Sequence, residues 1–215
     1  IAKNHETVTD SSKAWRVLAG LKERLSAAGT LNLYQVFLSE IDKFEEVMFR
    51  YCRHVLDTAR NVEQDLTHPA VAAMRKAIKL INKEAHRMEA FVRFQLTSDQ
   101  LYYAIIDPVC NVLPLIENHF RNRYADQRWL IYDSKRRYGP YYDLYAVSIV
   151  ALASHRKSDA QNLGLDLCDE TEVLFQSLWQ QYFSSVNISE RKNMRLHLQH
   201  LPKRYWKHLP EKTVR

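Results

Sequence analysis

Residues 10 to 90 carry apolar side chains at helical spacing. Trp15, Leu18, Leu21 and Leu25 recur at three and four, behind Asp10 or Ser11 as a cap and ahead of Gly29 as a stop. Phe37, Ile41, Phe44, Met48, Cys52, Val55 and Ala59 form a second, longer stripe. Thr67-His68-Pro69 reads as a stop followed by a proline suited to a first helical turn. Beyond it Val71, Met74, Ile78, Ile81, Ala85 and Met88 alternate in threes and fours. Such stripes are core far more often than site, so this stretch predicts a small antiparallel helical bundle.

Near Phe91 the period changes from 3.6 to 2. Val92, Phe94 and Leu96 alternate with Arg93 and Gln95, and Thr97-Ser98-Asp99 makes a turn before Leu101, Tyr103 and Ile105. Asn111 is a candidate cap for a short helix with Pro114 in its first turn and Leu115, Ile116 and Phe120 facing inward. Strand character returns in WLIYD from Trp129, in YGPYYD and in YAVSIVAL, with Gly139-Pro140 expected to mark a break or an edge. Residues 154–168 are polar and loop-like. Asp169 and Glu172 then resemble a capping box before a helix carrying Phe175, Leu178, Trp179, Tyr182 and Val186. Pro202 and Pro210 cut the remaining tail into short helical pieces. The expected fold is α+β, an N-terminal helical bundle followed by a small antiparallel sheet of three to five strands with flanking helices. Its expected parts are a helical region, 1–85, and an α+β domain, 86–215, with the boundary near His86.

Composition changes this picture little. At 46% hydrophobic and 26% charged, the 215 residues have an ordinary globular balance. Cys52, Cys110 and Cys168 lie far apart and outside any CxxC pattern, which argues against a disulfide framework or a cysteine zinc site and for a reducing compartment. No apolar run approaches the roughly 20 residues of a membrane span, and no signal peptide opens the chain, so a cytoplasmic protein without a membrane partner is expected. The chain begins Ile1-Ala2-Lys3 without methionine, and a longer natural N-terminus is expected.

Charge changes it more. Residues 187–215 hold eight Lys/Arg against two acids, a net +6 that equals the formal charge of the whole chain. Interleaved with those cations are His197, His200, His208, Tyr205 and Trp206. Arg191, Lys192, Arg195, Lys203, Arg204 and Lys207 can neutralise phosphates, with Tyr205 or Trp206 stacking on a base and His197 and His200 supplying hydrogen bonds. The competing reading folds this tail across the domain, with its aromatic side chains in the core and its cations paired to Asp166, Asp169, Glu170 and Glu172. Arg136, Arg137 and Tyr138 form a second basic patch suited to phosphates.

Other chemistry is thinner. His197 and His200 share one helical face, but ligation needs further ligands, and no metal is expected. Asp133 and Asp143 are the carboxylates placed to act as general acids or bases, although aspartates at strand ends usually accept turn hydrogen bonds. Four glycines give neither a P-loop nor GxGxxG, and there is no GxSxG, HExxH or HxE…PCxxC. No cofactor is expected, and a non-enzymatic role is preferred to catalysis.

Several motifs together are similar to a known family. His86-Arg87-Met88-Glu89-Ala90-Phe91-Val92-Arg93-Phe94, Trp129-Leu130-Ile131-Tyr132-Asp133, Tyr138-Gly139 with Tyr141-Tyr142-Asp143, and Leu196-His197-Leu198-Gln199-His200-Leu201-Pro202 with Arg204-Tyr205-Trp206 resemble the bacterial "probable DNA metabolism protein" family, defined by a domain of unknown function numbered 4130. The resemblance runs from about 86 to 211. It implies proximity to a DNA-repair radical-SAM protein and, in some bacteria, fusion to a uracil-DNA-glycosylase-type domain; it supplies no catalytic residue. Members usually begin with a short β/α segment ahead of the first helix here, and often carry Asp-Gly where this chain has Asp143-Leu144. The expected function is therefore a DNA-metabolism or repair accessory protein that binds DNA through its basic aromatic tail. The alternatives are an adaptor for a radical-SAM or uracil-DNA-glycosylase-type enzyme, and a cofactor-free enzyme.

Overall fold

In the computed structural model, residues 9–58, 61–151, 178 and 194–212 are described. The chain divides into two compact units, 1–82 and 83–215.

In the first unit Asp10 caps α1 (Ser11–Arg24) by accepting the Lys13 amide at 3.0 Å. The expected run to Gly29 is broken at Ser26, whose hydroxyl accepts the Gly29 amide at 2.9 Å and opens α2 (Ala27–Ser39). Glu63 completes this start, with its carboxylate 2.7 Å from the Ser26 amide. The second predicted stripe also divides, because Glu40 and Lys43 adopt left-handed backbone at φ 48° and 58° and separate α2 from α3 (Phe44–Asp57). Phe37 consequently faces solvent and meets Phe44 edge-on at 5.9 Å. Helix α4 (Pro69–Phe91) starts at the proline as expected. Leu21, Leu33, Val36, Tyr51, Val55, Val71 and Met74 form the core of this unit.

Within the second unit lie the last turns of α4 and a five-stranded sheet in sequential order β1 (Gln95–Leu96), β2 (Tyr102–Ile106), β3 (Trp129–Asp133), β4 (Tyr138–Tyr142) and β5 (Val147–Ala151). The sheet is mixed, which corrects the antiparallel expectation: β2 and β3 run parallel, and the other neighbours are antiparallel. Helix α5 (Leu113–Arg123) lies between those two strands in sequence, and a crossover of that length lets the second strand return in the same direction. Val112 rather than Asn111 caps α5; the Asn111 side chain instead accepts the Tyr138 hydroxyl at 2.5 Å.

Gly139-Pro140 lies inside a strand paired on both sides, so it is neither a break nor an edge. The absence of a side chain at Gly139 is what permits this, since a Cβ there would stand 2.0 Å from the Ile131 carbonyl oxygen. Trp129, Ile131, Ile116 and Phe120 are fully buried, with Phe94 edge-on to Phe120 at 5.7 Å.

The C-terminal part breaks at its prolines, as expected. It comprises α6 (Met194–His200) and two 3-10 turns, Lys203–His208 and Pro210–Lys212. Leu178 is helical and half-exposed; the rest of the expected helix beginning at Asp169 lies outside the described residues, as do Arg191 and Lys192. No helix among the described residues is long and apolar enough to cross a membrane.

Candidate nucleic-acid interface

The C-terminal 3-10 turns sit on an acidic floor built by α4 and by the loop that leaves β2. Glu84 lies on the inward stripe of α4, between Ile81 and Met88, and only 1% of its surface is exposed. A buried carboxylate needs partners, and this one has three. One oxygen accepts the Val109 amide at 2.9 Å; the other accepts the Tyr205 hydroxyl at 2.5 Å and the Arg204 guanidinium at 2.7 Å. Arg204 also donates to the Tyr205 oxygen. Burial, reinforced by the bond to Glu84, pushes the Tyr205 hydroxyl up to about 12. Burial disfavours the charge on Arg204, yet Tyr205 and Glu84 outweigh it and hold the guanidinium above its ordinary value.

Asp107, directly after β2, makes the second anchor. It pairs with Lys207, and its other oxygen is 2.6 Å from His208 Nε2. Burial opposes the Asp107 charge, but His208 and Lys207 prevail, and its carboxyl is held below the ordinary aspartate value. Glu211, buried, meets Arg93 at 2.9 Å to make the third. Met88, Phe91, Ile106, Asp107, Tyr205 and His208 enclose a recess about large enough for one water molecule.

Asp107 and Asp133 follow or end the two parallel strands, whose carboxyl ends are the usual side for ligands in such units. Asp133 is nevertheless spent on structure. Fully buried, it accepts the Lys135 and Arg136 amides at 2.8 and 3.0 Å and the Arg136 guanidinium at 2.7 Å. Arg136 then donates to the Pro108 and Val109 carbonyls at 3.2 and 2.9 Å, fastening the turn after β3 to the loop after β2. Arg137 takes a left-handed φ of 63° in that turn. Asp143 is exposed and accepts the amides of Ala146 and Tyr145 at 2.8 and 2.9 Å. Those two bonds hold its carboxyl below the ordinary value, where it is a weak base.

Residues 42–211 match DUF4130, a domain of unknown function. The chain belongs to that family. No curated protein and no solved structure matches it.

Of the cations predicted in the tail of this DUF4130 chain, the described ones fall into two sets. Arg204 and Lys207 are committed to Glu84 and Asp107. Arg195, His200 and Lys203 point to solvent, and Lys203 lies 6.0 Å from the centre of the Trp206 ring. Tyr205 is turned inward, so any base stacking falls to half-buried Trp206, whose indole nitrogen donates to the Leu201 carbonyl at 3.1 Å. His197 meets the Trp206 ring edge-on at 6.0 Å. The acidic partners of these cations are Glu84 and Asp107, while the tail's own Glu211 meets Arg93; the partners expected at 166–172 lie outside the described residues. Glu84 was findable, because an acid on an otherwise apolar helical stripe announces a buried ion pair. Asp107 carried no such signal, since its role depends on a tail a hundred residues away.

Proposed function

We propose that this DUF4130 chain is a DNA-metabolism accessory protein that binds nucleic acid on the outward side of its C-terminal element. What carries the reading is how the cations divide. The element is anchored by Tyr205, Leu209 and Glu211, all buried, while Arg195, His200 and Lys203 remain exposed, Lys203 beside Trp206. Among the described residues neither Arg195 nor Lys203 has a carboxylate partner, which leaves both for phosphate. The family resemblance adds the setting, a DNA-repair radical-SAM protein or a uracil-DNA-glycosylase-type domain as neighbour.

Fluorescence anisotropy with single- and double-stranded oligonucleotides across a salt series tests it. Wild type should bind with a steep salt slope, and Arg195→Ala with Lys203→Ala should flatten that slope by about 0.7 per lost contact on single strand. Absence of binding at low salt overturns the reading.

A second reading rests on the first unit. Trp15 is 68% and Phe49 63% exposed, and α2 turns Leu31, Tyr34 and Phe37 outward at three-residue spacing without a charged residue in the helix. Surfaces of that kind favour a protein partner. Co-elution with a purified radical-SAM repair protein, lost on Trp15→Ser with Phe49→Ser, is its test; failure to co-elute removes it.

A further inference from the structure

Tyr205 has a guanidinium on its ring from each of two distant stretches of chain. Arg204 comes from its own turn, with Cζ 4.6 Å from the ring centre, and Arg87 from α4, at 5.9 Å. Arg87 also donates to the Gln199 carbonyl at 3.1 Å, so the α4 side chain reaches the end of α6. One turn earlier on α4 stands exposed Lys83, on the same helical face as Arg87. Neither Lys83 nor Arg87 has a carboxylate partner among the described residues, whereas the acid between them, Glu84, is turned inward and consumed by Arg204 and Tyr205. With that one negative charge buried, the cations of this stretch are Lys83 and Arg87 on α4, Arg87 reaching the C-terminal element, and the exposed Arg195 and Lys203 on that element.

We propose that Lys83 and Arg87 of α4 are part of the nucleic-acid footprint, which tracks the phosphates of a single strand from α4 onto the C-terminal element. This rests on the functional reading above and extends it to a helix remote in sequence. Arg87, already held at one nitrogen by Gln199, presents a planar fork suited to a phosphate. Trp206 belongs to the same turn as Arg204, and an indole adds affinity only for an unpaired base, because a duplex keeps its base faces in its own stack. The class of ligand is therefore single-stranded nucleic acid rather than duplex.

The test is anisotropy of the full chain with a fluorescent oligothymidylate across a salt series. It compares wild type, Lys83→Ala, Arg87→Gln, Arg87→Lys and the Arg195→Ala/Lys203→Ala double variant. Lys83→Ala and Arg87→Gln should each bind several-fold more weakly, each lowering the salt slope by about 0.7, and Arg87→Lys should keep the slope. Lys83 is exposed, so its variant remains informative even if Arg87→Gln unfolds. Wild-type affinity in Lys83→Ala and Arg87→Lys/Gln beside weakened Arg195→Ala/Lys203→Ala confines the footprint to the tail and overturns this inference alone. Equal affinity for a duplex of the same length overturns the single-strand assignment. Equal displacement by polyglutamate makes the surface one for acidic protein and overturns it too. No binding by wild type removes the functional reading and this inference together.

Discussion

Leu144 stands at φ 86°, a left-handed conformation that a branched side chain adopts only under strain. It closes the turn between β4 and β5. The turn is retained because Asp143 accepts two amides and the Tyr142 hydroxyl donates to the Leu144 carbonyl at 2.8 Å. None of those bonds needs the leucine side chain, which is 41% exposed. Leu144→Gly should therefore raise stability by about 1 kcal/mol, read as an increase in the urea midpoint at constant m-value. Gly139 presents the opposite case. An alanine methyl group there would meet a strand carbonyl, not a flexible side chain, and neither strand can yield without losing its ladder. Gly139→Ala is expected to cost about 3 kcal/mol or more and to appear as loss of soluble, cooperatively unfolding protein. Two nearby positions, Leu144 in a turn and Gly139 inside a strand, thus favour glycine for different reasons, one for backbone angle and one for space.

At the scale of elements, the C-terminal turns are attached by a few groups that can be removed singly. Tyr205→Phe keeps the ring in place and removes the hydroxyl that Glu84 accepts. Leaving a buried carboxylate one donor short should cost about 1–3 kcal/mol and raise amide exchange in residues 203–212. The Asp107 anchor depends on pH in a defined sense. Its folded pKa is depressed, so its contribution is complete above the unfolded aspartate value near 3.9 and is lost as pH falls through the lower folded value. Between pH 5 and pH 2 wild type should consequently lose more stability than Asp107→Asn, as followed by urea midpoints at each pH. These anchors also explain what was legible beforehand. The α4 stripe, the three later strands and the proline breaks of the tail were readable because each is a local periodicity or a local ban. The division at Glu40–Lys43 was not, because a helical pattern continues through it and only the backbone angles stop. The parallel pair was hidden for a related reason: strand pattern carries no direction, and the direction came from the crossover. In the candidate site the cations of the tail were readable as charges, but their division into anchors and free groups depended on Glu84 and Asp107.

For the molecule as a whole, the excess charge is concentrated in the segment that supplies these anchors. Residues 187–215 carry +6 and the remaining residues sum to zero, which invites the view of the tail as a detachable basic arm. The pairing argues otherwise. Removing that segment would strand Glu84, at 1% exposure, with only the Val109 amide, and would leave Arg93 and Asp107 without the partners they now have in Glu211, Lys207 and His208. Stripping the partners from a buried charge costs about 3–5 kcal/mol, much of the stability of a typical domain. A chain ending at 186 should therefore lose exchange protection in β2, β3 and α5, with α1 to α3, whose core lies within 1–82, as the internal reference. Glu84→Met in the shortened chain should restore part of that protection, because the stranded charge is replaced by an apolar group of similar length. If the shortened chain instead kept full protection without that substitution, the tail would be an appendage and not a clasp. Protection lost on truncation and recovered with Glu84→Met identifies the anchoring residues of the tail as a structural clasp of the second unit. Salt-dependent binding is then best measured with Arg195 and Lys203 variants, which leave all three anchors in place.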